Sequence, residues 1–128
     1  MKYLCLAYYD HEKFDALSKD ELKALVSECP KHDEELRKSG HVVLQGSLGE
    51  LKATTTIRPR NGKPLVTDGP YTETKEQVGG FFMIEARDLN EAIQLASKIP
   101  PARFGSIEIR PTRELQVETQ QLAAAAAP

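Results

Sequence analysis

The stretch Lys2-Tyr3-Leu4-Cys5-Leu6-Ala7-Tyr8-Tyr9 carries apolar residues at odd and even positions alike, and Phe81-Phe82-Met83-Ile84 repeats the pattern. Successive side chains of a β-strand point to opposite faces of a sheet, so such runs predict strands that are buried on both faces. Strands of this kind belong at the centre of a sheet. The remaining elements are therefore expected to lie around them.

A helix is predicted after each of these runs. Ser18-Lys19-Asp20-Glu21 is a capping box, and the helix that it begins is expected to end at Gly40. Pro30 removes one hydrogen bond and crowds the preceding turn, so we expect a kink or restart and two helical pieces. A second helix is expected from Asp88-Leu89-Asn90-Glu91 to Pro100-Pro101. The apolar residues at helical spacing in the first helix are Leu22, Leu25, Val26, Cys29 and Leu36.

Further strands are predicted at residues 41–51, 53–58 and 106–110, the last from its strict alternation of apolar and polar residues. Asn61-Gly62 favours a two-residue hairpin turn, because both central residues of a type I′ turn need positive φ. The hairpin is expected to pair residues 54–58 with 63–67. The predicted order is strand, helix, strand, hairpin, strand, helix, strand.

This order is typical of an α+β, ferredoxin-like split βαβ fold with a β-hairpin insertion. Two helices cover only one face of a four-stranded sheet, yet the two central runs offer apolar side chains to both faces. A second copy of the chain, packed sheet against sheet, is the simplest cover, because most soluble oligomers are symmetric homo-oligomers. We therefore expect a homodimer with an interface of at least ~1,000 Å².

Composition excludes several classes of function. The 128 residues suit one globular domain, and a net charge of -2 gives no strong field for holding a phosphate backbone, so no direct nucleic-acid partner is expected. The N-terminal apolar run is too short and too soon interrupted by charge for a signal peptide or a membrane span, which predicts a cytoplasmic protein with no membrane partner. No C-x-x-C or H-E-x-x-H spacing supports a metal site.

Chemistry is expected in the densely charged residues 67–82. One interpretation is structural: Gly69-Pro70 forces a turn that Asp68 shapes. The other is functional: Asp68 lies within nine residues of Glu73, Lys75 and Glu76, where a lysine tunes a neighbouring carboxylate for acid or base work. The functional interpretation requires an ordered loop in which Tyr71 is mostly buried and Asp68 accepts a hydrogen bond.

The same stretch resembles a known family. Asp68-Gly69-Pro70-Tyr71, Glu73-Thr74-Lys75-Glu76-Gln77 and Gly79-Gly80-Phe81 resemble the signature of YCII-related proteins of the DGPF subgroup, from which Tyr71 departs where the motif has phenylalanine. Met1-Lys2-Tyr3-Leu4 and the residues from Gly105 to Pro111 extend the resemblance. It covers residues 1–112 as one domain and leaves residues 113–128 as a C-terminal tail, expected to be frayed or helical.

The resemblance implies a dimeric α/β barrel made of two ferredoxin-like subunits. It also implies a site built on a histidine and an aspartate, which corresponds to His32 and Asp68 here, although a solvated surface position is the alternative for His32. Tyr71, Glu73 and Lys75 of the motif are expected to bind ligand. Arg110, on the alternating last strand, suits an anionic substrate, and Arg103 is a weaker candidate on the same logic.

Two functions remain open on these grounds. The first is a small-molecule enzyme without cofactor or metal, of lyase or hydrolase type, using Asp68 and His32 as catalytic residues; one relative dehydrochlorinates a hydroxylated aromatic. The second is a non-catalytic ligand-binding or regulatory module linked to transcription, since genes of this subgroup often lie beside those of extracytoplasmic-function sigma factors. A concavity beside Asp68 with a second titratable group in reach would favour the enzyme.

Overall fold

The computed structural model of the chain describes residues 1–99 and 105–127. Its strands are β1 (Lys2–Asp10), β2 (Val42–Ser47), β3 (Thr55–Arg60), β4 (Lys63–Asp68), β5 (Glu76–Glu85) and β6 (Gly105–Pro111). Its helices are α1 (His11–Asp15), α2 (Lys19–Lys38), α3 (Leu89–Ala96) and α4 (Leu115–Ala126), with a 3₁₀ turn at Leu51–Ala53.

The main sheet has four antiparallel strands in the order β2-β5-β1-β6, so the two doubly apolar strands are central, as predicted. Cys5 pairs with Phe82 on one side and with Ile109 on the other. β3 and β4 form a separate two-stranded sheet. The molecule is therefore a mixed α+β fold with antiparallel sheets, and its main sheet is open at both edges.

One face of the main sheet packs against α2 and α3. Tyr3, Cys5 and Ile84 form its core together with Ala92 and Ala96 of α3. On α2, Leu25 and Leu36 are buried, whereas Val26, on the same predicted stripe, is 64% exposed. The apolar stripe of α2 is therefore narrower than its sequence indicates.

The opposite face, here called the free face, carries the alternate side chains of the same strands. Leu6 is cross-strand from Phe81 and from Glu108, and Leu4 is cross-strand from Met83. These positions are only partly buried, and Leu44 on β2 is 59% exposed. An apolar surface of this kind marks an interface or a ligand site.

Local signals account for most of the element boundaries. The Ser18 hydroxyl accepts from the Glu21 backbone N–H at 3.1 Å and the Glu21 carboxylate accepts from the Ser18 N–H at 3.2 Å, which confirms the capping box. Asp88 accepts from the Glu91 N–H at 2.9 Å and begins α3. Asn61 and Gly62 have φ of 51° and 76°, as the predicted hairpin turn requires.

Three sequence predictions differ from the structure. α2 runs unbroken through Pro30, so the prediction of two helical pieces is wrong; Pro30 and Val26 lie on an exposed face, where water can solvate the carbonyl that Pro30 leaves without a donor. β2 ends at Ser47, before the predicted residue 51, and α1 was not predicted. Asp10 begins α1 by accepting from the Glu12 N–H at 3.0 Å. Pro100 and Pro101 lie outside the described residues.

Candidate functional site

A groove of about 700 Å³ lies where residues 70–78 meet one end of the free face. Tyr8 forms part of its floor, and Glu76 and Glu108 supply its carboxylates. The charged motif therefore borders open space. A segment that only formed a turn could instead pack without leaving a cavity. Its other polar lining residues include Tyr71, Thr72, Thr74, Gln77 and Ser106.

The turn that opens the motif is held by backbone bonds. Gly69 has φ of 99°, its N–H donates to the Thr54 carbonyl at 2.7 Å, and its carbonyl accepts from the Thr56 hydroxyl at 2.7 Å. Asp68, the last residue of β4, is exposed and does not line the groove. Its carboxylate accepts no hydrogen bond from the described residues, so that prediction is wrong. The Thr56 hydroxyl and the Gly69 backbone stabilise the turn, a role that was predicted for Asp68.

Tyr71 is 73% exposed, and the prediction that it packs inward is wrong. The Arg58 guanidinium lies 5.1 Å from the centre of its ring, a cation–π contact at the surface. β3 thus positions the Tyr71 ring from one side only. The other side is open to whatever occupies the groove.

Gln77 orders the rest of the segment. Its Nε2 donates to the Thr72 carbonyl at 2.5 Å and to the Thr74 carbonyl at 3.0 Å, and it lies 3.3 Å from the Thr74 hydroxyl. The Thr74 hydroxyl in turn donates to the Glu76 carbonyl at 2.8 Å. The Thr74 and Gln77 side chains thus close a bend in the chain.

Replacing Gln77 by alanine removes these bonds from an exposed loop. A net worth of about 1 kcal/mol for each bond predicts amide exchange at residues 72–75 that is at least ~10-fold faster. Hydrogen–deuterium exchange measures this. Gln94→Ala, at an exposed position of α3, is the matched control and should leave the segment unchanged. Unchanged exchange in Gln77→Ala would show that the loop is not held by this side chain.

The remaining predicted ligand-binding residues are dispersed. Glu73 and Lys75 are exposed and make no ion pair with the described residues. Arg110 lies on the free face as predicted, but its Nε pairs with the Glu108 carboxylate and its charge is thereby compensated. Arg103 lies outside the described residues.

A β-bulge and a close contact explain the first glycine of the Gly79-Gly80 pair in the motif. β1 and β5 shift register here, with Ala7 opposite Gly80 and Tyr8 opposite Val78, so that Gly79 is the extra residue of a bulge. A Cβ at Gly79 would lie 1.9 Å from Cε1 of Tyr9. The missing side chain therefore makes room for the Tyr9 ring on the helix side of the sheet.

That ring borders a second cavity, of about 210 Å³, between α2 and the main sheet. Most of its lining is apolar, including Phe14, Leu25 and Phe82. Asp33 supplies the carboxylate among the described lining residues, and Ser47 supplies a hydroxyl. A concave, mostly apolar space with a few polar groups is the usual form of a small-molecule site.

His32 lies beside Asp33. Its side chain is only 10% exposed, so the expectation of a solvated surface histidine is wrong. Nδ1 is buried without a hydrogen bond, 3.8 Å from the nearer oxygen of Asp33, and the ring stands edge-on to Phe82 at 6.4 Å. His32 and Asp68 line no common cavity. The acidic neighbour of His32 is Asp33.

The environment of Tyr9 keeps its phenol protonated. Burial raises the pKa of Tyr9, and the negative charge of Asp15 raises that pKa further. The ring stacks on His11 at 4.3 Å and lies against Phe14 at 5.4 Å. The Tyr9 phenol is therefore a hydrogen-bond donor at neutral pH, in a cavity that Asp33 also lines.

Sequence reasoning missed Asp33, although a signal was present. Asp33 follows Cys29 by four residues and Leu25 by eight, which places it beside the inward stripe of α2, where its side chain lines the cavity and stays 44% exposed. An acidic residue at this spacing from apolar residues is a candidate for a carboxylate at the border of a helix–sheet interface. Of the other two histidines, His11 stacks on Tyr9, and His41 uses Nδ1 to contact the Glu85 carbonyl at 2.8 Å, away from both cavities.

Two features are absent from the residues that the structure describes. No cluster of three or more His, Cys, Asp or Glu residues is arranged to hold a metal ion in residues 1–99 and 105–127. In the same part of the chain, no helix has the length and apolar character needed to cross a membrane.

Comparison with known proteins places the chain in a family. The model of the YCII-related domain matches residues 1–116. An uncharacterised protein of Rhizobium meliloti (strain 1021) is 33% identical over 113 residues, which cover 87% of this chain and 91% of that protein. The chain belongs to the YCII-related domain family.

Proposed function

We propose that this YCII-related protein is a cofactor-free enzyme of lyase or hydrolase type that acts on a small, mostly apolar substrate carrying a hydroxyl or carbonyl group. The observation that carries the proposal is the cavity between α2 and the sheet, which holds the Asp33 carboxylate at the edge of an apolar lining. Its volume of about 210 Å³ limits the substrate to a small molecule.

The proposed chemistry is proton transfer. The Asp33 carboxylate takes a proton from the substrate or from a water molecule, and the Tyr9 hydroxyl donates a hydrogen bond to the oxygen on which charge develops. His32 is a positioning residue, since it contacts Asp33 and Phe82 but does not line this cavity.

The motif residues have a second part in the proposal. We assign Tyr71, which lines the groove, to ligand binding, together with Glu73, Lys75 and Arg110, which do not line it in the single chain. The second subunit of a homodimer would close the open side of the groove. Asp68, which is exposed and outside the groove in the single chain, keeps a proposed catalytic role that requires the dimer to enclose its carboxylate. The support is the unpartnered apolar free face that borders the groove.

The finer classification also belongs to the proposal. The motif Asp68-Gly69-Pro70-Tyr71 supports the DGPF subgroup, and the strand order supports a ferredoxin-like domain over residues 1–112 that pairs into a dimeric α/β barrel. Residues 113–128 are a tail, whose helix α4 exposes Leu115 and Leu122. We place the protein in the cytoplasm, where a buried thiol such as that of Cys5 stays reduced.

Phenol and toluene test the site as a matched pair, because they differ only by a hydroxyl in place of a methyl group. We expect both to perturb the NMR signals of cavity residues. Asp33→Asn should weaken phenol binding about 10-fold, since it replaces a charge-assisted hydrogen bond by a neutral one, and should leave toluene binding within ~2-fold.

Glu34→Gln, one residue away on the exposed face of α2, is the control and should change neither affinity. If phenol binds Asp33→Asn as tightly as the unaltered protein, Asp33 does not recognise the substrate and the proposed site is wrong. If Asp33→Asn turns over a substrate at the rate of the unaltered protein, the Asp33 carboxylate is not the catalytic base.

A further inference from the structure

β3 and β4, with the turn between them, form a ribbon of residues 55–68 that we call the arm. It is a two-stranded sheet separate from the main sheet. A hairpin of this kind is only marginally stable in water when nothing packs against it. On the arm, Ile57 is 62% exposed to solvent and Val66 is 57% exposed. These two apolar side chains are therefore not buried against their own subunit.

The register gives the arm two different faces. Ile57 pairs with Val66 and Pro59 with Pro64, and both pairs share one face with the Thr55–Asp68 pair at the base of the arm. This apolar face carries one charged residue, Asp68, which lies at the base next to the Ile57–Val66 pair. The opposite face carries Arg58, Leu65, Arg60 and Lys63.

The prolines limit the ways in which the arm can associate with another chain. Proline cannot donate a backbone hydrogen bond and is tolerated in strands where its nitrogen points outward. Pro59 and Pro64 therefore remove an outward donor from each edge of the arm. Further strands are not added at these edges, and association takes place through the side chains of the apolar face.

The areas favour a second copy of this chain as the occupant. Strands of six to ten residues at about 3.3 Å per residue and about 4.8 Å apart give the four-stranded free face roughly 500 Å². Two such faces bury about 1,000 Å² together, below the ~1,200–2,000 Å² of a stable specific interface. Each of the two arms would bury about 200 Å² of its own surface and about 200 Å² of the partner surface beneath it. The total buried area then reaches roughly 1,800 Å².

We propose that the apolar face of each arm packs on the other subunit of a homodimer, as a reciprocal clasp that completes the sheet-to-sheet interface. The inference rests on the homodimer of the proposed function. Two-fold symmetry supplies both arms at once, because each subunit gives and receives the same contact.

The clasp bears directly on the motif. The arm ends at Asp68, and Gly69 is tied to its base by the Thr54 and Thr56 hydrogen bonds. The Arg58 guanidinium on the arm also holds the Tyr71 ring. An arm fixed on the partner therefore fixes the turn and the ring that border the groove.

Sedimentation equilibrium of the full chain tests the clasp. Ile57→Asp places a carboxylate on the apolar face, and we expect the dimer dissociation constant to rise at least ~30-fold. Leu65→Asp is the matched control, because Leu65 is also on the arm and 50% exposed but lies on the opposite face. It should leave the constant within ~3-fold. Circular dichroism confirms that both variants are folded.

A second readout is amide exchange at residues 69–75, which should become faster in Ile57→Asp and stay unchanged in Leu65→Asp at the same protein concentration. The clasp would be refuted if Ile57→Asp and Leu65→Asp changed the dissociation constant and the amide exchange equally. It would also be refuted if neither variant changed them while the protein remained dimeric. Both results would be compatible with the homodimer. An unaltered protein that sediments as a monomer would refute the homodimer itself.

Discussion

Replacing Gly79 by alanine is expected to lower the free energy of unfolding by about 3 kcal/mol, near the upper end for overpacked sites. The added Cβ would lie 1.9 Å from Cε1 and 2.5 Å from Cζ of Tyr9. The ring cannot easily retreat, because His11 stacks on it and Phe14 lies against it. The strain must therefore be relieved by moving β1 or α1.

Urea denaturation measures this effect. Gly49→Ala is the control, since a Cβ there meets nothing within 4 Å, and it should change stability by less than about 0.5 kcal/mol. In the background of Tyr9→Ala, the penalty of Gly79→Ala should largely disappear, because the two substitutions act on one contact. A full penalty that persists without the Tyr9 ring would mean that Gly79 is required for another reason.

Replacing Leu6 by aspartate is expected to convert the proposed homodimer into a monomer of 14.2 kDa at micromolar concentration. Leu6 is central to the free face, with Phe81 and Glu108 as cross-strand neighbours. A carboxylate there would be buried beside another carboxylate at the interface, which costs several kcal/mol. Light scattering measures the change.

Leu44→Asp checks the same result at an edge strand, where the side chain is 59% exposed and its loss cannot unfold the core. Val26→Asp, on the outer face of α2, is the control and should remain dimeric. Dimers that survive both Leu6→Asp and Leu44→Asp would show that the free face is not the interface.

Much of the fold follows from local features of the sequence. The doubly apolar strands β1 and β5 lie at the centre of the sheet, as their apolar side chains on both faces predict. The Ser18–Glu21 capping box and the Asn61–Gly62 turn act through contacts within a few residues, so their outcome depends little on the rest of the chain.

The candidate site was less predictable because it depends on helix rotation and on distant contacts. His32 and Asp33 are adjacent in sequence, and only the packing of α2 on the sheet decides that the imidazole is buried while the carboxylate reaches the cavity. Tyr71 is 73% exposed, and among the residues that the structure describes the Arg58 guanidinium lies over its ring. Neither outcome is encoded in the immediate neighbours of these residues.

The crystal structure of a phenol complex is the most direct test of the proposed function. We expect the phenol ring to lie in the cavity between α2 and the main sheet, with its oxygen about 3 Å from a carboxylate oxygen of Asp33. Phenol bound only in the groove beside Tyr71, or a cavity that stays without phenol at saturating concentration, would contradict it.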